Sequence, residues 1–130
     1  MILIGHRFIK SENLYHVLDI ESITHTPPNG TLYIEFSEEN LDIIEHANLN
    51  GIAFALKIET LKEIVYANAL GAKYIVVPKI MAKTAQDLAE NYLFDAKILA
   101  RIEDDKELDE LALLGIDGVL YPNAIIKINS

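Results

Sequence analysis

The chain has 130 residues, 51% of them apolar, with 20 acidic and 11 basic side chains and a net charge of −9. That length predicts one domain over residues 1–130 with a real core, too short for a full eight-stranded barrel of roughly 250 residues. The acidic balance argues against nucleic acid or an anionic membrane surface as main partner, and the lack of cysteine excludes disulfides, zinc–thiolate sites and a thiol nucleophile.

The N-terminus, Met1-Ile-Leu-Ile-Gly-His-Arg7, has no basic leader followed by a long apolar stretch, so a cytoplasmic protein is expected. Met1–His6 reads as the first strand. Ser11-Glu-Asn-Leu14 then reads as the start of a short helix with Ser11 as its N-cap. Residues 21–30, with Pro27-Pro28 and Asn29-Gly30, read as a loop. Five apolar segments follow, starting at residues 31, 53, 75, 97 and 119, a constant spacing of 22. The first four lead into stretches of helical composition at about 38–48, 60–70, 83–93 and 105–114, with Ser37, Thr60 and Asp104 or Asp105 as caps. The tail after Pro122 reads as a short frayed end.

This is the pattern of a repeated strand–helix unit with sequential parallel strands. Residues 53–78 also align with 97–122 at an offset of 44, pairing Ile58 with Ile102, Glu63 with Glu107 and Gly71 with Gly115. Both glycines fall where a helix must stop and turn, which favours a left-handed C′ residue. Even-numbered positions of the five repeated strands are all apolar and are expected to face helices. The odd positions become polar at the carboxyl ends. An inward face with a polar rim predicts a partial or reduced TIM-like barrel. The alternative is a flavodoxin-like open parallel sheet. Six strands in such a barrel leave the first and last unable to meet, and exposed edges favour a homodimer.

Parallel α/β sheets place their chemistry at the carboxyl ends of the strands. The period puts His6, Glu35, Lys57, Lys79, Arg101 and Asn123 there, with Arg7 adjacent. Convergent Lys and Arg groups fit an anionic ligand such as phosphate. The competing reading is a solvated rim in which Lys57 and Arg101 pair with Glu59, Glu103 or Glu35. Lys57 or Lys79 also has a minor claim as a Schiff-base lysine. His16 and His46, in predicted helices, and His25, in the loop, read as surface or packed side chains. Tyr33, Tyr66, Tyr74 and Tyr121 read as core and rim aromatics. There is no Gly-rich loop of nucleotide-binding spacing.

Ile4-Gly5-His6-Arg7 followed by Ser11-Glu12-Asn13-Leu14 resembles the opening of the glycerophosphodiester phosphodiesterase family, a strand ending in His-Arg-Gly and then Pro-Glu-Asn-Thr. Leu32-Tyr-Ile-Glu35-Phe-Ser37 resembles the family's Ile-Glu-Leu-Asp strand, and Leu114-Gly-Ile-Asp-Gly118-Val-Leu-Tyr-Pro122 its closing segment. The resemblance implies a barrel whose His6 transfers a proton, whose Arg7 contacts phosphate and whose Glu35 is a metal carboxylate. Glu12 and Asn13 would support that shell, while Lys57, Lys79 and Arg101, the strand-end cations given by the period, would hold the ligand. The chain departs from the pattern at Phe8, at Ser37 and at Ala55-Leu56-Lys57, where the family carries glycine, a second carboxylate and Glu-x-Lys. No His-Asp pair follows the second strand. The resemblance therefore implies a domain that binds a phosphate-bearing small molecule, with metal-dependent hydrolysis weakened or lost and a divalent cation held weakly by Glu35. The alternatives are an active phosphoric diester hydrolase of unusual metal site and a non-catalytic interaction module.

Overall fold

The computed structural model describes residues 1–128. It contains four helices and eight strands, all parallel, in a curled sheet that forms a partial TIM-like barrel. The strands are β1 (Ile2–Ile4), β2 (Leu14–His16), β3 (Thr31–Glu35), β4 (Phe54–Lys57), β5 (Tyr74–Pro78), β6 (Lys97–Arg101), β7 (Gly118–Leu120) and β8 (Ile125–Lys127). The helices are α1 (Leu41–Leu49), α2 (Leu61–Ala69), α3 (Ala82–Asn91) and α4 (Leu108–Leu113); a 3-10 turn precedes α1, α3 and α4. None is long and apolar enough to cross a membrane.

Two short strands were not anticipated. Leu14–His16, expected in a helix, is β2, and Ser11 is no cap: its hydroxyl accepts the Gly5 N–H at 2.9 Å and clips the β1–β2 loop. Ile125–Lys127, expected to fray, is β8. Residues 129 and 130 of that tail lie outside the described residues. The segment 21–30 is partly ordered as a 3-10 turn over Glu21–His25.

The order across the sheet is β1-β7-β6-β5-β4-β3-β2-β8. The first strand therefore lies against β7 and the last against β2, so both ends of the chain interleave. The first and last of the six expected strands are β1 and β7, and their pairing corrects the expectation that they cannot meet. The edges left at β1 and β8 are only three residues long.

Two apolar layers result. The outer one lies between sheet and helices and includes Leu32, Ile34, Phe54, Leu56, Ile64 and Leu111. The inner one takes side chains from every strand, among them Ile4, Leu14, Tyr33, Ala55, Tyr74, Leu99 and Leu120. The even-position rule holds for β3, β4 and β6 but fails for Val76 and Leu120, which point inward while Ile75, Val77 and Val119 face the helices. The pairing explains this. Ala55 pairs with Tyr74 and Leu99 with Gly118, and both are odd offsets that exchange the two faces of the following strand.

Gly71 and Gly115 adopt φ of 91° and 75°, the left-handed turn expected after α2 and α4. Glu63 reaches back to the Thr60 N–H at 3.1 Å, as in a capping box. Gly118 serves a different purpose. A Cβ there would lie 2.6 Å from the Ile2 carbonyl and 2.7 Å from a Leu99 methyl. Close approach of β1 to β7 thus requires glycine. Gly118→Ala is expected to destabilise the chain by about 1–3 kcal/mol through overpacking, whereas Gly115→Ala acts only through its left-handed backbone. Urea unfolding of both variants checks this, and a Gly118→Ala loss under about 0.5 kcal/mol would show that β1 is loosely seated.

Candidate functional site at the strand carboxyl ends

The mouth of the curled sheet is built by strand register. β3, β4 and β6 end on Glu35, Lys57 and Arg101, and β5 ends one residue before Lys79. Lys57, Lys79 and Arg101 line one cavity of about 550 Å³, together with Tyr33 and Glu103. His6, Arg7 and Asn123 line a second hollow of about 500 Å³, to which Glu103 also contributes. The cations predicted to converge are thus divided between two adjoining cavities.

Each cation of the first cavity already meets carboxylates. Lys57 Nζ lies 3.5 Å from Glu35 and 3.7 Å from Glu59, and Glu59 also holds Arg101 at 3.4 Å. Lys79 lies 3.0 Å from Glu110 and 3.8 Å from Glu107, and the Glu110 contact chiefly raises its pKa. Lys57 and Arg101 pair with Glu59 and Glu35, as the solvated-rim reading expected. These contacts are long and partly exposed, the kind worth about 0–1 kcal/mol each.

Two polar atoms at this end are left over. Arg101 Nε and His16 Nε2 are buried and have no hydrogen-bond partner among the described residues. The His16 ring packs edge-on against Tyr33 at 5.3 Å, and burial lowers its pKa, partly opposed by the Glu35 charge. Tyr33 is 3% exposed, and burial pushes its pKa up to about 12. Its hydroxyl stays protonated and makes no hydrogen bond among the described residues, so it is a donor on the cavity wall.

His6 is held on both sides. Its Nδ1 accepts the Phe8 N–H at 3.1 Å, which puts the proton of the neutral ring on Nε2. Nε2 lies 3.2 Å from Asp105. Asp105 also accepts the Tyr121 hydroxyl at 2.7 Å, and that bond is the first cause of its lowered pKa. The Tyr121 hydroxyl is pushed up to about 12 by burial and by the bond to Asp105. The Arg7 guanidinium lies 4.5 Å from the centre of the Phe8 ring, and its charge adds to the lowering at Asp105. Among the described residues no three His, Asp or Glu side chains converge as a metal site would require, and Glu35 faces Lys57.

Glu12 is not at the mouth. It lies at the opposite, amino end of the sheet, where it accepts Tyr74 Oη at 2.6 Å and Thr31 Oγ1 at 2.8 Å and lies 3.4 Å from Lys73. Thr31 and Tyr74 are the first residues of β3 and β5, and that fixes the location. Asn13, next in the chain, is exposed just before β2. Asp117 of the closing segment also has a role at this end, accepting the Ile98 N–H at 2.9 Å while Gln86 accepts its own N–H.

Sequence reasoning passed over Asp105, Tyr33 and His16, and named Glu59 only as an ion-pair partner. Tyr33 was accessible from alternation, since it stands two residues before Glu35 on the same face. Asp105 had no signal, because its partner His6 is 99 residues away. No family model matches the chain, and no curated protein matches its sequence.

Burial raises the Glu12 pKa, but the bonds from Tyr74 and Thr31 outweigh it and leave the carboxyl below 4.5. Its contribution to stability is complete above the unfolded value and is lost as pH falls through the lower folded value. Glu12→Gln is expected to lower stability by about 1–2 kcal/mol at neutral pH and by less in acid. Unfolding midpoints compared between pH 7 and pH 3 check this. An equal loss at both would mean that the Glu12 charge is irrelevant.

Proposed function

We propose that the chain binds a phosphate-bearing small molecule at the carboxyl ends of its strands and that phosphodiester hydrolysis there is weakened or lost. One observation carries the reading: Lys57, Lys79 and Arg101 line a single cavity, and the buried Arg101 Nε has no partner among the described residues. A guanidinium offers paired donors to phosphate oxygens, and such charge-assisted bonds exceed loose surface ion pairs in strength. The Tyr33 hydroxyl adds a neutral donor. The resemblance of the first, second and last segments to glycerophosphodiester phosphodiesterases points to the same ligand chemistry.

Glu59 bridges Lys57 and Arg101 and so occupies the place an anion would take. Calorimetric titration with inorganic phosphate and glycerol phosphate is expected to give millimolar or tighter binding that weakens with salt. Arg101→Ala and Lys57→Ala each weaken it at least threefold, and Glu59→Gln tightens it by a similar factor. No binding, or binding indifferent to all three substitutions, would leave the rim as solvated charge.

The weakened chemistry follows from the other hollow. With Nδ1 engaged by Phe8 and Nε2 by Asp105, His6 has no nitrogen free to exchange a proton with a ligand. Glu35 has Lys57, not a second carboxylate, as its neighbour. Assays with a chromogenic phosphodiester and a divalent cation are expected to show little or no turnover. Robust metal-dependent activity, abolished by both His6→Ala and Glu35→Gln, would establish the alternative of an active hydrolase with an unusual metal site.

A further inference from the structure

The offset of 44 residues that relates the second half of the chain to the first sets α2 and α4 in equivalent places, so each helix is a control for the other. Their core-facing residues agree. Ile64 and Ala67 of α2 pack on the outer apolar layer, as do their counterparts Leu108 and Leu111 of α4. Lys62 has Lys106 as its counterpart. The outward positions do not agree. Leu61, Val65 and Tyr66 are 50%, 48% and 48% exposed, and their counterparts are Asp105, Asp109 and Glu110. The fold does not demand apolar residues at 65 and 66, since α4 carries Asp109 and Glu110 there; Asp105 stands in the turn before α4, held by His6 and Tyr121.

Tyr66 borders a groove between α2 and α1, and Leu61 and Val65 stand exposed on α2 outside its lining. One part, of about 680 Å³, is lined by Phe36, Leu41, Tyr66 and Leu70. It continues past Leu41 and Leu70 into a hollow of about 450 Å³ that adds Ile44 and Leu49, the latter 78% exposed. The rim is charged unevenly. Glu38 and Glu45 stand on the α1 side and Lys62 and Glu63 on the α2 side; the Glu63 carboxylate is taken up by the Glu59 and Thr60 N–H groups, whereas Glu38, Glu45 and Lys62 have no ion-pair partner among the described residues.

We propose that this face docks a second copy of the chain, α1 and α2 of one protomer packing on α1 and α2 of the other about a two-fold axis. An isologous contact needs a self-complementary surface. Here the axis sets Lys62 of each copy against the acidic α1 rim of the other, with the apolar side chains between them. Leu41, Leu49, Leu61, Val65 and Tyr66 are each 41% exposed or more and supply the apolar centre that a specific interface needs. The acidic rim disfavours an anionic lipid surface as occupant. The contact uses helices, not the sheet edges, and is independent of the ligand reading.

Sedimentation of the full chain at tens of micromolar is expected to give a dimer, twice the 14.6 kDa of one chain. The pair Val65→Asp with Tyr66→Glu installs the residues that α4 already carries, and should weaken dimerisation at least tenfold with helical content unchanged. Lys62→Glu should weaken it several-fold, with recovery on adding Glu45→Lys, while the equivalent Lys106→Glu leaves it intact. A monomeric wild-type chain overturns the proposal. So does a dimer that withstands Val65→Asp with Tyr66→Glu, or one that Lys106→Glu weakens as much as Lys62→Glu does.

Discussion

The interleaved pairing of the chain's two terminal segments is the constraint on which the molecule depends. β1 lies against β7 and β2 against β8, so the two terminal runs of backbone meet at two levels. Without these contacts, the remaining strands would form an open sheet with one apolar face uncovered. With them, side chains from every strand share one inner layer. A sheet this narrow has little interior to fill, and the filling is correspondingly tight: Gly118 has no room for a methyl group between Ile2 and Leu99. The same curl brings Glu35, Lys57 and Arg101 into adjoining positions at one end.

Much of this architecture was legible because a repeated unit writes itself into the sequence at a fixed period. Helix boundaries, the Thr60–Glu63 cap and the glycine turns follow from local chemistry, which a single segment carries by itself. β2 and β8 were not legible. Three-residue strands give no measurable alternation, and Leu14–His16 followed a plausible helix start. Facing was legible only where the two faces differ in polarity. Ile75-Val76-Val77 is apolar throughout, so nothing in it records the register shift that turns Val76 inward. In the site, period alone found the strand-end cations. The carboxylate that fixes His6 lies on a different unit, and the contact that joins them is tertiary.

The two ends of the sheet differ in how completely their polar groups are satisfied. At the amino end, Glu12 gathers Tyr74, Thr31 and Lys73 into one closed arrangement, and Asp117 is bonded to Ile98 and Gln86. Such a network fixes the strand starts. At the carboxyl end, Arg101 Nε and His16 Nε2 are buried without partners among the described residues, Tyr33 lines the cavity, and the cations lie 3.0–3.8 Å from their carboxylates. An unsatisfied buried donor or acceptor costs about 1–3 kcal/mol, a sum the fold bears only at this end. The sheet is knotted shut where the strands begin and carries its unmet hydrogen-bonding capacity where they finish. That asymmetry assigns the amino end to stability and leaves the carboxyl end as the place where an added polar group would gain most.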